Sequence, residues 1–256
     1  MGRVNWLGLW TLIAKEVRRF LKVYFQTLVA PVVTTLMFLA IFALAVGRSL
    51  AGIPGGSFGA FLAPGLMMMA MTQNAFANTS SSLMISKVQG NIVDVLMPPL
   101  SPLELTLAFA LGGVVRGLLV GLAVGLAMLP FVPVTVVSPL LVLYFGVSAA
   151  AMMSLLGMVG GIWADKFDHM AAVTNFIVVP LSFLSGTFYS IDRLPESLRL
   201  AAYVNPFFYL IDGFRAGFIG HSDGSPVTGA VIVGGVNVAL ALLAYRMFAV
   251  GYKLKA

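Results

Sequence analysis

Residues Lys87–Glu104 read KVQGNIVDVLMPPLSPLE and separate two strongly apolar runs of the chain. Between Val88 and Leu96 the apolar residues recur close to the spacing of one helix face. Pro98 and Pro99 must end any such helix, because proline lacks the amide donor and clashes with the preceding turn. The pattern predicts a short amphipathic helix that cannot itself cross a membrane. We expect it to lie on the cytosolic surface and to transmit force from a soluble partner.

The composition of the whole chain is that of an integral membrane protein. Of its 256 residues 60% are hydrophobic and only 9% are charged, whereas soluble domains carry about 25% charged residues. Cysteine is absent and the two histidines, His169 and His221, are far apart, so we predict no catalytic, cofactor or metal site. The net charge of +6 indicates the bias that orients membrane proteins rather than nucleic acid binding.

Apolar runs of about 20 residues are long enough to cross the bilayer core. Six such runs predict an all-α membrane protein with six transmembrane helices. They are approximately Thr27–Val46, Phe58–Ala77, Thr106–Leu129, Leu140–Trp163, Ala171–Phe188 and Val227–Tyr245. We expect a single transmembrane domain over residues 1–256. Its parts are an interface helix (1–26), spans one to five (27–188) with a coupling helix (87–104), outer helices (189–226), and the last span and cytosolic tail (227–256).

Lysine and arginine residues predict the orientation of these spans. With the N-terminus inside, ten of them fall on inner segments and four on outer segments, which favours both termini in the cytosol. The inner ten are Arg3, Lys15, Arg18, Arg19, Lys22, Lys87, Lys166, Arg246, Lys253 and Lys255. The outer four are Arg48, Arg193, Arg199 and Arg215.

The first 26 residues predict an amphipathic helix that lies in the membrane interface. Apolar residues from Trp6 to Tyr24 recur at spacings of three and four. Charged residues from Lys15 to Lys22, Glu16 among them, occupy other faces, where the basic side chains favour anionic head groups. The alternative is an orientation signal that packs on nothing.

The predicted second span ends in a run of polar residues from Thr72 to Ser82. Polar groups at membrane depth must find partners or face water or protein. These residues could line a substrate path, or they could mark where the helix leaves the membrane. The methionine cluster before them suits either core packing or a plastic wall for a varied lipid-like cargo. The candidate path-lining residues are Met68, Gln73, Asn74 and Asn78.

Gly113, Gly117, Gly121 and Gly125 follow one another at intervals of four and form a stripe on one face of the predicted third span. Such a stripe lets another backbone approach closely, either within the chain or across a dimer seam. Arg116 borders the stripe. A charge at that depth is costly and usually faces protein or water, so its role is either structural pairing or a functional contact.

The short charged loop Ala164–Met170, ADKFDHM, is also on the predicted cytosolic side. It is either a solvated turn or a second contact for a cytosolic partner. Together with the amphipathic stretch it supplies the candidate residues for coupling to an ATPase. These are Gln89, Asn91, Asp94, Leu96, Asp165, Lys166 and Asp168.

The nearly forty residues between the last two spans are too aromatic for a floppy loop and too interrupted for a span. We predict two short helices that dip into the outer leaflet, one starting near Pro195 and one opened by Pro206. Asp212 and Arg215 are three residues apart and could pair on one helix face in a structural role.

The run from Leu184 to Arg215 resembles the signature of ABC-2 type transporter permeases, the membrane subunits of one class of ABC exporter. The matching residues are Leu184-Ser185-Gly186, Phe188-Tyr189, Leu194-Pro195, Asn205-Pro206-Phe207, Tyr209 and Arg215. Thr187 departs from the smaller or aliphatic residue of the pattern. The segments AKEVRRF, GNIVDVLMPPLSP and GIWADKFDH extend the resemblance along most of the chain. Within the family the chain is most similar to short bacterial permeases of the nodulation, capsular polysaccharide and drug exporter group.

The resemblance implies six spans, an interface helix, a cytosolic coupling helix and short outer helices. It further implies a dimer of permeases in the bacterial inner membrane, expected to be a homodimer, joined to two ABC ATPase subunits that bind ATP and magnesium. The cargo would be a lipid-linked saccharide, a lipid or a hydrophobic drug. No G-x-x-x-x-G-K-[ST] phosphate loop occurs in the sequence, as expected of a transport subunit that is not an enzyme.

Two other functions stay open on the residues alone. An ion-coupled secondary transporter would place ionisable groups at mid-membrane, and Arg116 is the clear mid-span charge. A membrane enzyme acting on lipids would need an acid–base pair at one interface. His221 and Asp223 are the adjacent candidates, although turn chemistry explains them more simply.

Overall fold

A computed structural model describes residues 4–45, 58–191 and 194–254, and within these ranges the regular structure is helical, without strands. The α-helices are α1 (Trp6–Leu21), α2 (Ala30–Ala45), α3 (Phe58–Val88), α4 (Ile92–Leu96), α5 (Pro102–Met128), α6 (Pro139–Trp163), α7 (Phe167–Val173), α8 (Val179–Leu184), α9 (Glu196–Val204), α10 (Pro206–Ile219) and α11 (Pro226–Val250). Two π-helical turns, Phe25–Val29 and Thr174–Val178, lead into α2 and α8. The predicted all-α fold is confirmed. Arg3, Val46, Arg48, Arg193 and Lys255, which entered the predicted spans and orientation, lie outside the described residues.

Five helical segments among the described residues are long and apolar enough to cross a membrane. They are Phe25–Ala43, Pro102–Met128, Pro139–Trp163, Phe167–Leu184 and Pro226–Val250, and each overlaps a predicted span. The predicted second span corresponds to α3. This helix is longer than the other five but is less apolar, because its second half is rich in polar residues.

The helix α3 continues through its polar half and ends at Val88, whereas the predicted span ended at Ala77. Its polar side chains are largely buried against other helices, and Thr79 Oγ1 donates to the backbone carbonyl of Ser154 in α6 at 2.7 Å. Protein partners satisfy these groups, so the helix does not have to end where its apolar run ends.

Proline marks the first turn of α5, α6, α10 and α11, and a serine or asparagine precedes each proline. The missing amide of proline has no cost there, because first-turn amides lack an intrahelical partner. The side chains of Ser101, Asn205 and Ser225 accept hydrogen bonds from the first-turn amides. The predicted spans begin one residue after the starts of α6 and α11 and four residues after the start of α5.

The bundle is built around α3, which packs against α5, α6 and α10. The glycine stripe of α5 lies at this packing. A Cβ atom on Gly117 would lie 3.1 Å from that of Ala75 and 3.2 Å from that of Ala150, and one on Gly113 would meet Ser154. The stripe therefore packs within the chain at Gly113 and Gly117.

The bundle has two distinct ends, which we name by one residue each. At the Lys87 end, α1, α4 and residues 251–254 share one cluster of buried apolar side chains with the adjoining ends of α5, α6 and α11. The Asp212 end comprises residues 129–138, α9, α10 and the turn 220–225. The two short helices predicted near Pro195 and Pro206 are confirmed as α9 and α10.

Candidate functional site

The turn before α4 and the helix itself present polar side chains outward at the Lys87 end. Gly90 makes the turn from α3 with a φ of 74°, a conformation that favours glycine. Ile92 and Val95 are buried in the apolar cluster with Leu9 and Leu12 of α1. Among the predicted coupling residues here, the exposed ones are Gln89, Asn91 and Asp94, whereas Leu96 is half-buried against the cluster. The predicted short amphipathic helix is therefore confirmed.

Glu104 ties the start of α5 to the start of α1. One carboxylate oxygen accepts from the backbone amide of Ser101 at 2.6 Å, and the other accepts from the backbone amide of Asn5 at 2.5 Å. The Asn5 side chain in turn accepts from the amide of Gly8 and caps α1. Because such caps contribute ~1 kcal/mol each, the segment that carries α4 is held firmly against α1.

Two lysines gather at the carboxyl end of α6. Lys87 Nζ donates to the carbonyl oxygens of Ile162 and Ala164 at 2.8 and 2.6 Å. Lys253 Nζ donates to Asp165 Oδ2 at 2.6 Å, and Asp165 Oδ1 lies 3.7 Å from Lys87 Nζ. Cations are favourable at this position, because the last carbonyl groups of a helix lack partners and carry a partial negative charge.

These contacts shift the pKa values of the three charged groups. Burial lowers the pKa of Lys87 below its ordinary value, and the charge of Asp165 opposes that shift. The hydrogen bond between Lys253 and Asp165 raises the pKa of Lys253 and lowers the pKa of Asp165. The resulting triad joins the end of α3, the turn after α6 and the C-terminal residues, and so links the two predicted coupling segments.

The predicted loop Ala164–Met170 is shorter than expected. Because α7 begins at Phe167, only residues 164–166 form the turn, and Asp168 lies in the first turn of α7. An acidic side chain is favourable there because the amino end of a helix carries a partial positive charge. The predicted coupling residues of this segment are all exposed. They are Asp165, Lys166 and Asp168.

Glu16 is completely buried and organises a polar network between α1 and α3. Its carboxylate accepts from Ser82 Oγ at 2.7 Å and from Arg19 Nη2 at 3.2 Å. Arg19 also donates to the backbone carbonyl of Asn78 at 2.7 Å and to Ser81 Oγ at 3.3 Å. The prediction that placed Glu16 away from the packed face of α1 was wrong, because α3 supplies hydroxyl and amide partners that make its burial possible.

Arg116, in the middle of α5, lies beside this network and is only 9% exposed. Its Nη2 donates to Asn74 Oδ1 at 2.9 Å. Its Nε and the Nδ2 of Asn78 are buried without a hydrogen-bond partner among the described residues. Arg116 also forms no ion pair with a described carboxylate. Arg116 is therefore paired with the Asn74 amide and with no described carboxylate, and both predicted roles, structural pairing and a functional contact, stay predictions.

A cavity of about 400 Å³ lies beside the polar half of α3. One wall carries polar side chains of α3, namely Gln73, Asn74, Ser80 and Ser81. The facing wall is largely apolar and comes from α7, the π-helical turn and the start of α8, with Phe167, Met170, Val178 and Val179 among its residues. Its polar member, Thr174, donates its hydroxyl to the backbone carbonyl of Met170. Cavities of roughly 300–1,000 Å³ are typical of small-molecule sites, so this volume suits a head group or a short part of a larger amphiphile.

The four candidate path-lining residues divide between this cavity and the protein interior. Gln73 and Asn74 line the cavity. Met68 is completely buried in the main core, and Asn78 is completely buried where it accepts from Arg19. Only Gln73 and Asn74 are therefore placed to contact a molecule bound in this cavity.

The ABC-2 type transporter family model matches residues 8–219, from α1 to the end of α10. The chain is 36% identical over 255 residues to the inner membrane transport permease YadH of Escherichia coli strain K12, covering 100% of each chain. The permease of the same name from Shigella flexneri matches equally. Nodulation protein J of Rhizobium leguminosarum bv. trifolii is 33% identical over 66 residues, which are 26% of this chain and 25% of that protein.

The chain belongs to the ABC-2 type transporter family. The resemblance found in its sequence is therefore confirmed. Its apolar helices and its full-length likeness to an inner membrane permease make it a multi-pass inner membrane protein. The family consists of permease subunits of transporters, which are not enzymes themselves.

In this ABC-2 permease the signature residues build a buried corner around Arg215. Arg215 donates to the backbone carbonyls of Phe61, Gly186 and Thr187 at 3.3, 2.7 and 3.4 Å. Its guanidinium also lies 3.8 Å above the Phe61 ring. Gly186 turns the chain with a φ of 75°. The signature therefore joins α3, the turn after α8 and α10.

The other signature residues fix the helices next to this corner. Pro195 immediately precedes α9, and Pro206 is the first residue of α10. The hydroxyl groups of Tyr189 and Tyr209 donate to the backbone carbonyls of Phe183 and Tyr203 at 3.1 and 2.9 Å. Each of these contacts is structural.

The predicted ion pair between Asp212 and Arg215 was wrong. Asp212 accepts from Ser222 Oγ at 2.5 Å and from the amides of Asp223 and Gly224 at 2.8 and 3.1 Å. The two side chains separate because the turn before α11 returns to Asp212 while backbone carbonyls surround Arg215. A structural role for each residue follows from these contacts.

The candidate acid–base pair at the Asp212 end is also part of that turn. His221 Nε2 lies 3.4 Å from Asp223 Oδ1. Asp223 Oδ2 accepts from Ser190 Oγ at 2.8 Å and from the amide of Ile191 at 3.1 Å. The carboxylate is thus occupied in joining two loops, which is the turn chemistry that the sequence indicated.

Sequence reasoning missed Glu16, Arg19 and Lys253 as parts of these sites. A signal for Glu16 was available, because it is the only acidic residue before Asp94 and lies among basic residues. Lys253 gave no such signal, since its partner Asp165 lies 88 positions away and no local pattern reports that contact.

Proposed function

We propose that the chain is the membrane subunit of an ABC exporter, which forms the path for an amphiphile and is driven by separate ATPase subunits. The observation that carries this proposal is the surface of the Lys87 end. There α4 is fixed to the bundle by Ile92 and Val95 while its polar residues point outward, next to the exposed turn after α6. Membership of the ABC-2 family supports an ATPase as the partner that docks on this surface.

In this proposal α3 is the sixth transmembrane helix. Its 31 residues extend about 46 Å at 1.5 Å per residue, more than the roughly 30 Å of the hydrocarbon core. Its polar side chains do not oppose insertion, because α5, α6 and α10 surround the helix. Polar groups in a membrane are tolerated where protein covers them.

The Lys87 end faces the cytosol in this proposal, with both termini on that side. The ratio of ten inner to four outer basic residues supports this orientation. So does α1, whose exposed Trp6, Leu7 and Trp10 suit the membrane interface, where tryptophan is enriched.

Motion of the ATPases would reach the spans through two linked contacts. Gln89, Asn91 and Asp94 offer the first contact, and Leu96 supports it from beneath. Asp165, Lys166 and Asp168 offer the second. Lys87 joins the two, because it belongs to α3 and holds the carboxyl end of α6. A displacement at either contact is therefore passed to the two helices that form the centre of the bundle, while ATP and magnesium stay in the partner.

The cargo in this proposal is an amphiphile such as a lipid-linked saccharide, a lipid or a hydrophobic drug. The cavity beside α3 supports this class, because one of its walls is polar and the other is largely apolar. The family further supports a second permease copy, expected to be identical, with membrane lipid around the pair.

The test is ATP hydrolysis by the permease reconstituted with its candidate ABC ATPase. The Asn91→Ala/Asp94→Ala double variant is expected to lose most of the stimulation by the permease, since it removes two outward contacts and leaves Ile92 and Val95 in place. The matched control is Glu196→Ala, which removes an exposed acid from the first turn of α9 at the other end and is expected to keep full stimulation.

Unchanged stimulation in the double variant would contradict the coupling role of α4. Transport that persists without the ATPase and collapses with an uncoupler would instead support an ion-coupled secondary transporter.

A further inference from the structure

The charges around Arg116 do not balance within the described residues. Arg116 donates to Asn74 and Arg19 donates to Asn78, so the two guanidinium groups bind α3 one helical turn apart. Glu16 is the described acidic residue of this cluster, and it forms an ion pair with Arg19. Two guanidinium groups against one carboxylate leave one positive charge, which belongs to Arg116. A buried cation without a counter-charge is expensive.

Hydrogen bonding around Arg116 is incomplete as well. Its contact with Asn74 uses a single amide oxygen, and its Nε and the Nδ2 of Asn78 are buried donors without an acceptor among the described residues. A guanidinium can donate five hydrogen bonds and matches the oxygens of a phosphate or carboxylate. The N–H groups that lack an acceptor therefore favour the binding of an anion with several oxygen atoms.

Both arginines are bonded to side chains that line the cavity beside α3. Arg116 donates to Asn74, and Arg19 donates to Ser81. Gln73 and Ser80 add further polar groups on that wall, and 30% of the Arg19 side chain is exposed. Across the cavity, α7 and the start of α8 contribute apolar side chains.

We propose that this cavity binds the anionic, phosphate-type head group of an amphiphile, with Arg116 and Arg19 as its charge partners and the apolar wall holding the start of its hydrocarbon part. The inference rests on the proposed transport function and specifies the head group of the cargo. In this proposal Arg116 makes a functional contact, as charged residues within membrane spans often do.

The test is the affinity of the purified permease, without an ATPase, for three probes measured by titration calorimetry in a neutral detergent. The probes are dihexanoyl phosphatidic acid, dihexanoyl phosphatidylcholine and inorganic phosphate. Phosphatidic acid is expected to bind tightest, because it alone combines a net-anionic phosphate with a hydrocarbon part. The Arg116→Gln variant is expected to lose roughly tenfold to a hundredfold in that affinity, the usual worth of a charge-assisted hydrogen bond.

Two further variants guard against effects on folding. Gln73→Glu changes the cavity wall by one charge at nearly constant shape and is expected to weaken the same binding by repulsion. Arg246→Gln removes an equal charge from an exposed position of α11 and is expected to bind like the wild type.

Unchanged affinity in Arg116→Gln and Gln73→Glu would overturn the proposal. Equal affinity for phosphatidylcholine would overturn the anionic head group, and equal affinity for inorganic phosphate would overturn the amphiphile. Because the permease is titrated alone, a negative result here is distinct from a negative result for coupling through α4.

Discussion

The surroundings of Arg215 and Arg116 differ sharply, although both arginines are buried in the same apolar bundle. Arg215 meets three backbone carbonyls and the face of Phe61. Arg116 meets one amide oxygen and keeps a buried Nε without an acceptor in the described part of the chain.

This contrast separates a structural charge from one that the fold leaves unsatisfied. Where carbonyls and a ring replace the water around a guanidinium, removing it exposes several polar groups to an apolar interior. Where the fold provides few partners, removing the guanidinium also removes the unfavourable free energy of burying its charge. The difference predicts that substitutions around Arg215 destabilise the permease more than the loss of Arg116 does.

Arg215→Gln should destabilise the permease most, by about 3–5 kcal/mol, because it leaves three carbonyls of the signature corner without their buried cation. The measurement is the thermal unfolding of the detergent-solubilised protein. Arg246→Gln, at an exposed position, serves as the control and should unfold like the wild type. A wild-type transition for Arg215→Gln would contradict the structural role.

Gly65→Ala should cost about 1–3 kcal/mol by overpacking. A Cβ there would lie 2.6 Å from the carbonyl oxygen of Thr187, in the backbone of the same corner. Gly125→Ala is the matched change in α5, where the new Cβ would lie 2.7 Å from the flexible end of Met67. Met67 can move aside, so Gly125→Ala should be close to neutral. Equal losses in the two variants would show that the corner is no more rigid than the glycine stripe.

Lys87→Met should cost about 1–3 kcal/mol, because it leaves the carbonyls of Ile162 and Ala164 without their donor. Lys253→Met should cost less, since Lys253 and its partner Asp165 are both well exposed. Denaturant unfolding of the two variants measures the difference. The reverse order would mean that the C-terminal residues, and not α3, hold the end of α6.

Arg116→Gln should change stability least, by no more than about 1 kcal/mol, because it removes a buried cation that has no counter-charge among the described residues. Thermal unfolding without added amphiphile measures this. A loss as large as that of Arg215→Gln would mean that the two arginines play the same structural role.

Most of the helices could be predicted because their signals are local. Pro102, Pro139, Pro206 and Pro226 announce helix starts, and Pro98 ends α4. The short helices α9 and α10 were found in the same way. The continuation of α3 past Ala77 to Val88 could not be predicted, because it depends on partners in other helices, which a hydropathy window does not report.

The polar sites could be predicted only in part. The exposed faces of α4 and of the turn after α6 follow from amphipathic spacing and charge. The contacts that organise those faces do not, because Lys87 reaches carbonyls 75 and 77 positions away and Glu16 reaches Ser82 over 66 positions. The prediction of an ion pair between Asp212 and Arg215 was wrong because it relied on their close spacing. Both side chains instead bind partners farther away in the sequence.

The proposal that α4 couples the permease to a cytosolic ATPase is tested most directly by determining which side of the membrane α4 faces. The chain has no cysteine, so an Asp94→Cys variant carries a single thiol, and Glu196→Cys places one at the Asp212 end. The two are compared by labelling with a membrane-impermeant maleimide in intact spheroplasts and in inverted membrane vesicles. If α4 faces the cytosol, Asp94→Cys is labelled only in inverted vesicles and Glu196→Cys only in spheroplasts. Labelling of Asp94→Cys in intact spheroplasts would contradict the proposal, because an ATPase in the cytosol could not then act on α4.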